Sequence, residues 1–226
     1  MSRLVAVLRP EPGNSATIAR AQALGLKTLS LPLFVVEALP WTLPDPARFD
    51  ALMLTSANAL RWAGPAIDRL RALPVVAVGK ATAAAARTAG FDVMIVGDRD
   101  AAALLVSAGA AGLRCLLHLG GEESMVSPGG LVGESVPVYA SAAISIAQPM
   151  LAPLVDSIAL VHSPRAGARL AALVDTAGLA RDRIIIAALS EAIAAATGTG
   201  WQAMVTAPRP LDEKLLETVA AIARSD

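Results

Sequence analysis

The stretch Phe49–Leu60, FDALMLTSANAL, decides how the chain is read. Ala51–Leu54 is apolar at every position and runs directly into Thr55 and Ser56, after which a helical pattern begins at Asn58. Near-continuous apolar character suits a strand buried on both faces, as in a parallel sheet covered by helices. Ser56 stands where a helix-capping hydroxyl belongs. In open α/β sheets ligands sit at this junction, against the exposed N–H groups of the helix start. The phrase returns as VDSIALVHSPRAG at Val155–Gly167.

The repetition extends outward. VVAVGKATAAAARTAGFDVMIVGDRDAAALL, starting at Val75, matches IIIAALSEAIAAATGTGWQAMVTAPRPLDEKLL, starting at Ile184; Gly79-Lys80 falls on Leu189-Ser190 and Gly90-Phe91 on Gly200-Trp201. Strands are expected at Leu4–Arg9, Leu26–Leu33, Ala51–Thr55, Val75–Gly79, Val93–Val96, Cys115–Leu119, Val155–Val161, Ile184–Leu189 and Ala203–Thr206. Helices are expected between them, with Asn14 capping the first, Thr82–Ala89 in the middle and Leu211–Ala223 last. Pro32–Pro46 reads as irregular, Gly120-Gly121 as a plain turn and Ser135–Ser141 as extended.

This alternation predicts an α/β fold of two similar parallel-sheet, flavodoxin-like lobes. The strand-helix-strand of Arg3–Leu33 finds no counterpart between the two repeats, so it is expected to complete the C-terminal one. The expected division is a discontinuous lobe of residues 1–34 and 142–226 and an inserted lobe of residues 40–135. Residues 35–39 and 136–141, both extended and apolar, would form a two-stranded β linker.

Composition narrows the function. The 226 residues are 55% apolar and carry 19 basic against 19 acidic side chains. Zero net charge argues against nucleic acid or an anionic membrane as partner, while leaving room for a small polyanion held by local donors. Mean hydropathy is positive at +0.57. Yet Ser141–Pro164 is broken by Gln148, Pro149 and Pro153, and Ile184–Pro208 by Gly198-Thr199-Gly200, so neither suits a membrane span. The N-terminal apolar run is too short for a signal peptide. A soluble, cytoplasmic monomer is expected. Cys115 is the single cysteine and reads as a small core residue, which leaves no intrachain disulfide or thiolate cluster.

No GxGxxG follows a strand and no phosphate-binding P-loop is present. His118 and His162 are the two histidines; neither has metal-ligand spacing, and His118 inside an apolar strand reads as a satisfied core residue. Ser56 and Ser163 lie outside any G-x-S-x-G and read as caps and carboxylate holders, not nucleophiles. Thr55, Asn58, Lys80, Thr82, Arg165 and Ser190 surround the same turns, and Arg9 at a strand end can add a cation. Tyr139, the single tyrosine, falls in the linker.

LRP at Leu8–Pro10, TSANAL at Thr55–Leu60, VGKAT at Val78–Thr82, VPVYAS at Val136–Ser141, HSPRAG at His162–Gly167 and ALSEAIAAATGTGW at Ala188–Trp201 occur in an order that spans almost the whole chain. This ordered set resembles the uroporphyrinogen-III synthase family. The resemblance implies two α/β lobes joined by a two-stranded linker, no metal or cofactor, and hydroxymethylbilane, a linear tetrapyrrole with eight carboxylates, as substrate. It implies ring closure to uroporphyrinogen III with loss of water and inversion of ring D, in tetrapyrrole and heme biosynthesis. It further implies that Tyr139 assists departure of the hydroxyl, and Ser141 joins the substrate-binding set. The sequence departs from the family pattern at Leu8, Ala140 and Ala192, where polar residues are more usual, which shifts weight to backbone contacts.

Overall fold

The structure, a computed structural model, describes residues 3–225. The described residues form eleven strands and eight α-helices in mostly alternating order. They run β1 (Val5–Val7), α1 (Gly13–Ala23), β2 (Thr28–Ser30), β3 (Phe34–Ala38), β4 (Ala51–Leu54), α2 (Ala57–Trp62), β5 (Val75–Val78) and α3 (Lys80–Thr88). Then follow β6 (Val93–Gly97), α4 (Ala101–Ala110), β7 (Leu116–Gly121), β8 (Val132–Ala143), α5 (Gln148–Leu151) and β9 (Ile158–Val161). The chain closes with α6 (Pro164–Thr176), β10 (Ile185–Ala188), α7 (Glu191–Ala195), β11 (Ala203–Thr206) and α8 (Asp212–Ser225).

The chain divides into two compact units, one made of the residues up to Val35 and from Ala143 onward, the other of Val36–Ala142. In the discontinuous unit the sheet order is β11-β10-β9-β1-β2, with every recorded pair parallel. Counted along that unit this is the 2-1-3-4-5 order of the flavodoxin-like fold. Alternate residues of each strand supply two cores. Ala6, Leu8, Ala159, Val161 and Ile186 pack with Leu170 and Val174 of α6 and Ile193 of α7. Val5, Val7, Ile158, Leu160 and Ala187 pack with Ala21 of α1 and Leu215, Leu216 and Val219 of α8. Apolar side chains on both faces are what the unbroken apolar runs require.

The continuous unit has the order β3-β8-β7-β4-β5-β6. From β8 to β6 its recorded pairs are parallel. Leu52, Leu54, Val75, Ala77, Leu117 and Leu119 face Ala59 of α2 and Ala83 and Ala86 of α3. Ala51, Met53, Val76 and Leu116 face Leu104 and Ala108 of α4. The order β8-β7-β4-β5-β6 is again 2-1-3-4-5 if β7 and β8 take the places of β1 and β2. The sheets are therefore circular permutations of one another: one unit takes its first two strands from the N-terminus of the chain, the other from its own C-terminal part. The strand-helix-strand of Arg3–Leu33 thus has a topological counterpart after all, in β7 and β8, and sequence similarity missed it because a single 3-10 turn, Glu122–Ser124, replaces the helix between them.

Several local expectations change. Asn14 does not cap α1, whose N-cap is Pro12. Buried inside the helix, its Nδ2 donates to the Val7 carbonyl at 2.9 Å and the Arg9 carbonyl at 3.0 Å, and its Oδ1 accepts from Ser30 Oγ at 2.8 Å. It serves as a polar rivet between α1, β1 and β2, satisfying carbonyls that burial would otherwise leave costly. Within Pro32–Pro46, β3 covers Phe34–Ala38, where the extended residues 35–39 are expected. Gly120 and Gly121 form no turn: they are the buried end of β7, paired with Pro137 and Tyr139 of β8. The segments expected as a linker are strands of this six-stranded sheet, β3 being its edge. Hydrogen bonds from Leu39 N to Val138 O and from Ile144 N to Leu33 O, both 3.0 Å, give β3 and β8 the antiparallel sense. No helix among the described residues is long and apolar enough to cross a membrane.

Candidate functional site

In each unit the polar residues singled out by sequence collect where the strands end and the helices begin. In the continuous unit the strand order reverses between β7 and β4, which is where open sheets hold ligands. Thr55 follows β4 there. Ser56 is the N-cap of α2, its hydroxyl accepting from Asn58 N at 3.2 Å. The Asn58 side-chain Oδ1 accepts from Arg61 Nη1 at 2.8 Å. Lys80 opens α3 and is exposed, with no ion-pair partner among the described residues. Thr82 is not a start-of-helix hydroxyl: α3 begins at Lys80, and Thr82 is 6% exposed on its inner side.

Thr55 is not simply a loop hydroxyl. Its Oγ1 lies 3.1 Å from His118 Nε2, and His118 Nδ1 lies 2.7 Å from Ser135 Oγ. His118 is fully buried, and that burial pushes its pKa from 6.5 down to about 4, so the ring is neutral near pH 7. The core reading of His118 therefore holds, and both ring nitrogens are satisfied.

Tyr139 pairs with Gly121 in the sheet, and its ring joins the apolar cluster that α2 and α3 cover. A Cβ on Gly121 would meet the Tyr139 ring at 2.5 Å and its hydroxyl at 2.9 Å, so glycine is needed where the ring crosses the β7 backbone. The residue is 7% exposed. Among the described residues the buried polar atoms without a hydrogen-bond partner are Trp62 Nε1 and His162 Nδ1. Ser141 N donates to the Glu123 carboxylate at 3.1 and 3.2 Å, tying β8 to the turn after β7.

In the discontinuous unit the reversal falls between β1 and β9. Arg9 follows β1, His162 and Ser163 follow β9, and Ser190 follows β10. Ser163 caps α6 by accepting from Ala166 N at 3.2 Å. Ser190 is the N-cap of α7 but makes no side-chain cap bond. Arg165 stacks on the Phe34 ring, 4.4 Å from its centroid, and Arg169 flanks the same ring at 5.6 Å. Arg169 also donates through Nε to the Leu33 carbonyl at 3.1 Å and through Nη2 to the Ile144 carbonyl.

Arg9 belongs to a charge cluster that sequence reasoning missed. Asp212, in the first turn of α8, accepts from His162 Nε2 at 2.8 Å, from Arg20 Nη1 at 2.8 Å and from Thr17 Oγ1 at 2.9 Å. Arg9 Nη1 stands 3.7 Å away and donates to Thr17 Oγ1 at 3.3 Å. Burial alone would raise the Asp212 pKa, but the hydrogen bonds from His162 and Thr17 and the charges of His162 and Arg9 outweigh it and hold the carboxyl at about 2. The signal available in sequence was an acid in the first turn of the last helix, which helix dipoles favour and which rarely points to a cluster. His162 occupies the place in the second repeat that Thr55 occupies in the first. Among the described residues no group of three acids, histidines or cysteines is placed to hold a metal ion.

Comparison with known proteins gives this arrangement its family. The model of uroporphyrinogen-III synthase HemD matches residues 15–217, which takes in segments of both units and all but Arg9 of the strand-end clusters. The chain belongs to the uroporphyrinogen-III synthase family. Members are cyclising lyases of heme biosynthesis that act on a tetrapyrrole. Among solved structures, uroporphyrinogen-III synthetase from Helicobacter pylori 26695 shares 19% identity, with 98% of this chain and 100% of that one covered at a TM-score of 0.68. A mutant uroporphyrinogen III synthase from the extremely thermophilic bacterium Thermus thermophilus shares 17% identity over 99% and 100% of the two chains, at a TM-score of 0.55. At such identities the likeness is one of fold. No curated protein matches the sequence.

Proposed function

We propose that this chain is an active uroporphyrinogen-III synthase, closing hydroxymethylbilane to uroporphyrinogen III with inversion of ring D and loss of one water. The observation that carries this reading is the family match over residues 15–217. We further propose that it works as a cytoplasmic monomer, without nucleic acid and without a cofactor.

The chemistry suits these residues. The nitrogen of a hydroxymethylpyrrole pushes out the hydroxyl, so a strong acid-base pair is unnecessary. Tyr139 would donate a hydrogen bond to the departing hydroxyl, and its ring, held against the Gly121 backbone, supports that role. The harder task is geometric. The substituted carbon of ring D must attack the freed methylene to give a spiro intermediate, which then reopens and recloses with ring D turned over. Orientation of this kind can supply several kcal/mol of the barrier.

A protein with equal numbers of acids and bases needs local donors for eight carboxylates. The start of α3, where no side chain caps the helix, and the cations Arg9, Lys80 and Arg165 are suited to acetate and propionate arms. Thr55, Ser56, Asn58, Ser141, Ser163 and Ser190 would add hydroxyl, amide or backbone contacts.

The test is incubation with freshly made hydroxymethylbilane and resolution of the two product isomers. Isomer III is expected; isomer I alone, at its spontaneous rate, would remove the synthase reading, and tight bilane binding without turnover would replace it with a binding protein. Tyr139→Phe should lower kcat by more than about tenfold. A smaller loss would take Tyr139 out of the chemistry.

A further inference from the structure

His118 is a fully buried polar side chain that no step above uses, yet it touches a residue assigned to carboxylate binding. The sheet register brings the three partners together. His118 on β7 stands opposite Ser135 on β8 and opposite Met53 on β4. Thr55 lies two residues beyond Met53, hence on the same face of the sheet. Gly120 makes room for the ring: a Cβ there would sit 2.5 Å from His118 Cε1.

We propose that His118 is a positioning residue: held by Ser135 as the Nε2–H tautomer, it donates to Thr55 Oγ1 and leaves the Thr55 O–H free for a substrate carboxylate. The proposal rests on the reading of Thr55 as a carboxylate holder. Its structural half stands on the two distances. A neutral imidazole has one donor and one acceptor nitrogen, so one of the hydroxyls donates to it and the other accepts from it. Ser135 Oγ lies 2.7 Å from Nδ1, a spacing usual for an O–H donor, and Thr55 Oγ1 lies 3.1 Å from Nε2, within the range of an N–H donor. The opposite tautomer would spend the single proton of Thr55 on the ring and turn its lone pairs toward the incoming anion, which would repel it. The lowered pKa agrees with a neutral ring under working conditions.

Two measurements on the full chain test this. The first is long-range proton–nitrogen NMR on 15N-labelled protein, with His118 assigned by the shift that Ser135→Ala causes. It should show Nε2 protonated and Nδ1 bare at pH 7; a protonated Nδ1 would overturn the proposal, whatever the enzyme assay says. The second is kinetics with hydroxymethylbilane. Ser135→Ala should raise KM about fivefold with kcat within about twofold, and Ser135→Thr, which keeps the hydroxyl, should restore KM. Thr55→Val should raise KM similarly, and the double variant should add little, because Ser135 acts through Thr55. An unchanged KM in Ser135→Ala, or fully additive losses, would overturn it. Failure of the wild type to make isomer III would instead remove the synthase reading and leave the NMR result to judge the tautomer.

Discussion

At the scale of single residues, His118 and Asp212 are both held deprotonated by their surroundings, one neutral and one anionic, and acid should undo both. The His118 pKa falls from 6.5 to about 4 because burial disfavours the imidazolium. Between those values the unfolded chain binds a proton that the native one refuses, so stability is full above about pH 6.5 and is lost as pH falls toward 4. The shift corresponds to a loss on the order of 3 kcal/mol. Asp212, held at about 2 against an ordinary 3.8, stabilises the fold above pH 4 and loses that contribution as pH falls through 2. This second step is on the order of 2 kcal/mol. Urea unfolding from pH 7 to pH 3 should therefore show stability declining from about pH 6.5 downward, with the upper part of the decline absent in His118→Gln. A His118 ring that titrates near 6.5 by NMR would contradict this account. The sequence made His118 legible as a core residue from its apolar flanks. Its partners Thr55 and Ser135 were not legible, because nothing along the chain says which strands become neighbours.

At the scale of elements, the repeated strand-turn-helix phrase predicts a capping serine at two helix starts, and both caps form. Ser56 and Ser163 accept from the backbone of α2 and α6, while Ser190 before α7 does not. Ser56→Ala and Ser163→Ala should each cost about 1 kcal/mol in chemical denaturation, and Ser190→Ala no more than a few tenths. Equal losses at the three positions would mean that capping is not their shared role. Helix starts are legible because caps and apolar periodicity are local signals. Asn14 misleads for the same local reason: its type and place suit a cap, but its side chain turns inward to carbonyls of β1. Gly120-Gly121 misleads in the other direction. A glycine pair usually marks a turn, whereas here each glycine clears space for a ring, those of His118 and Tyr139.

At the scale of the molecule, two flavodoxin-like sheets are built from one chain with their strands permuted. The cores that line both faces of the six-stranded sheet come wholly from residues between Val36 and Tyr139. The segment 36–142, expressed alone, should therefore fold with a cooperative thermal transition and mixed α/β circular dichroism. The complementary unit is cut by this insertion, but Ile144 N donates to Leu33 O at 3.0 Å, so its two pieces end side by side. Joining residue 35 to residue 143 through a short turn should give a second folded chain. Aggregation of both fragments would show that the units depend on each other.

The sequence by itself determined the alternation of strands and helices, the duplication and the family, because apolar runs, caps and motif order are properties of neighbouring residues. It left open which strand lies beside which. The bonds that shape the two clusters join residues far apart: Thr55 and His118 are separated by 63 positions, and His162 and Asp212 by 50. Such contacts exist only once sheet order and register bring the strand ends together, so only the tertiary structure decided them.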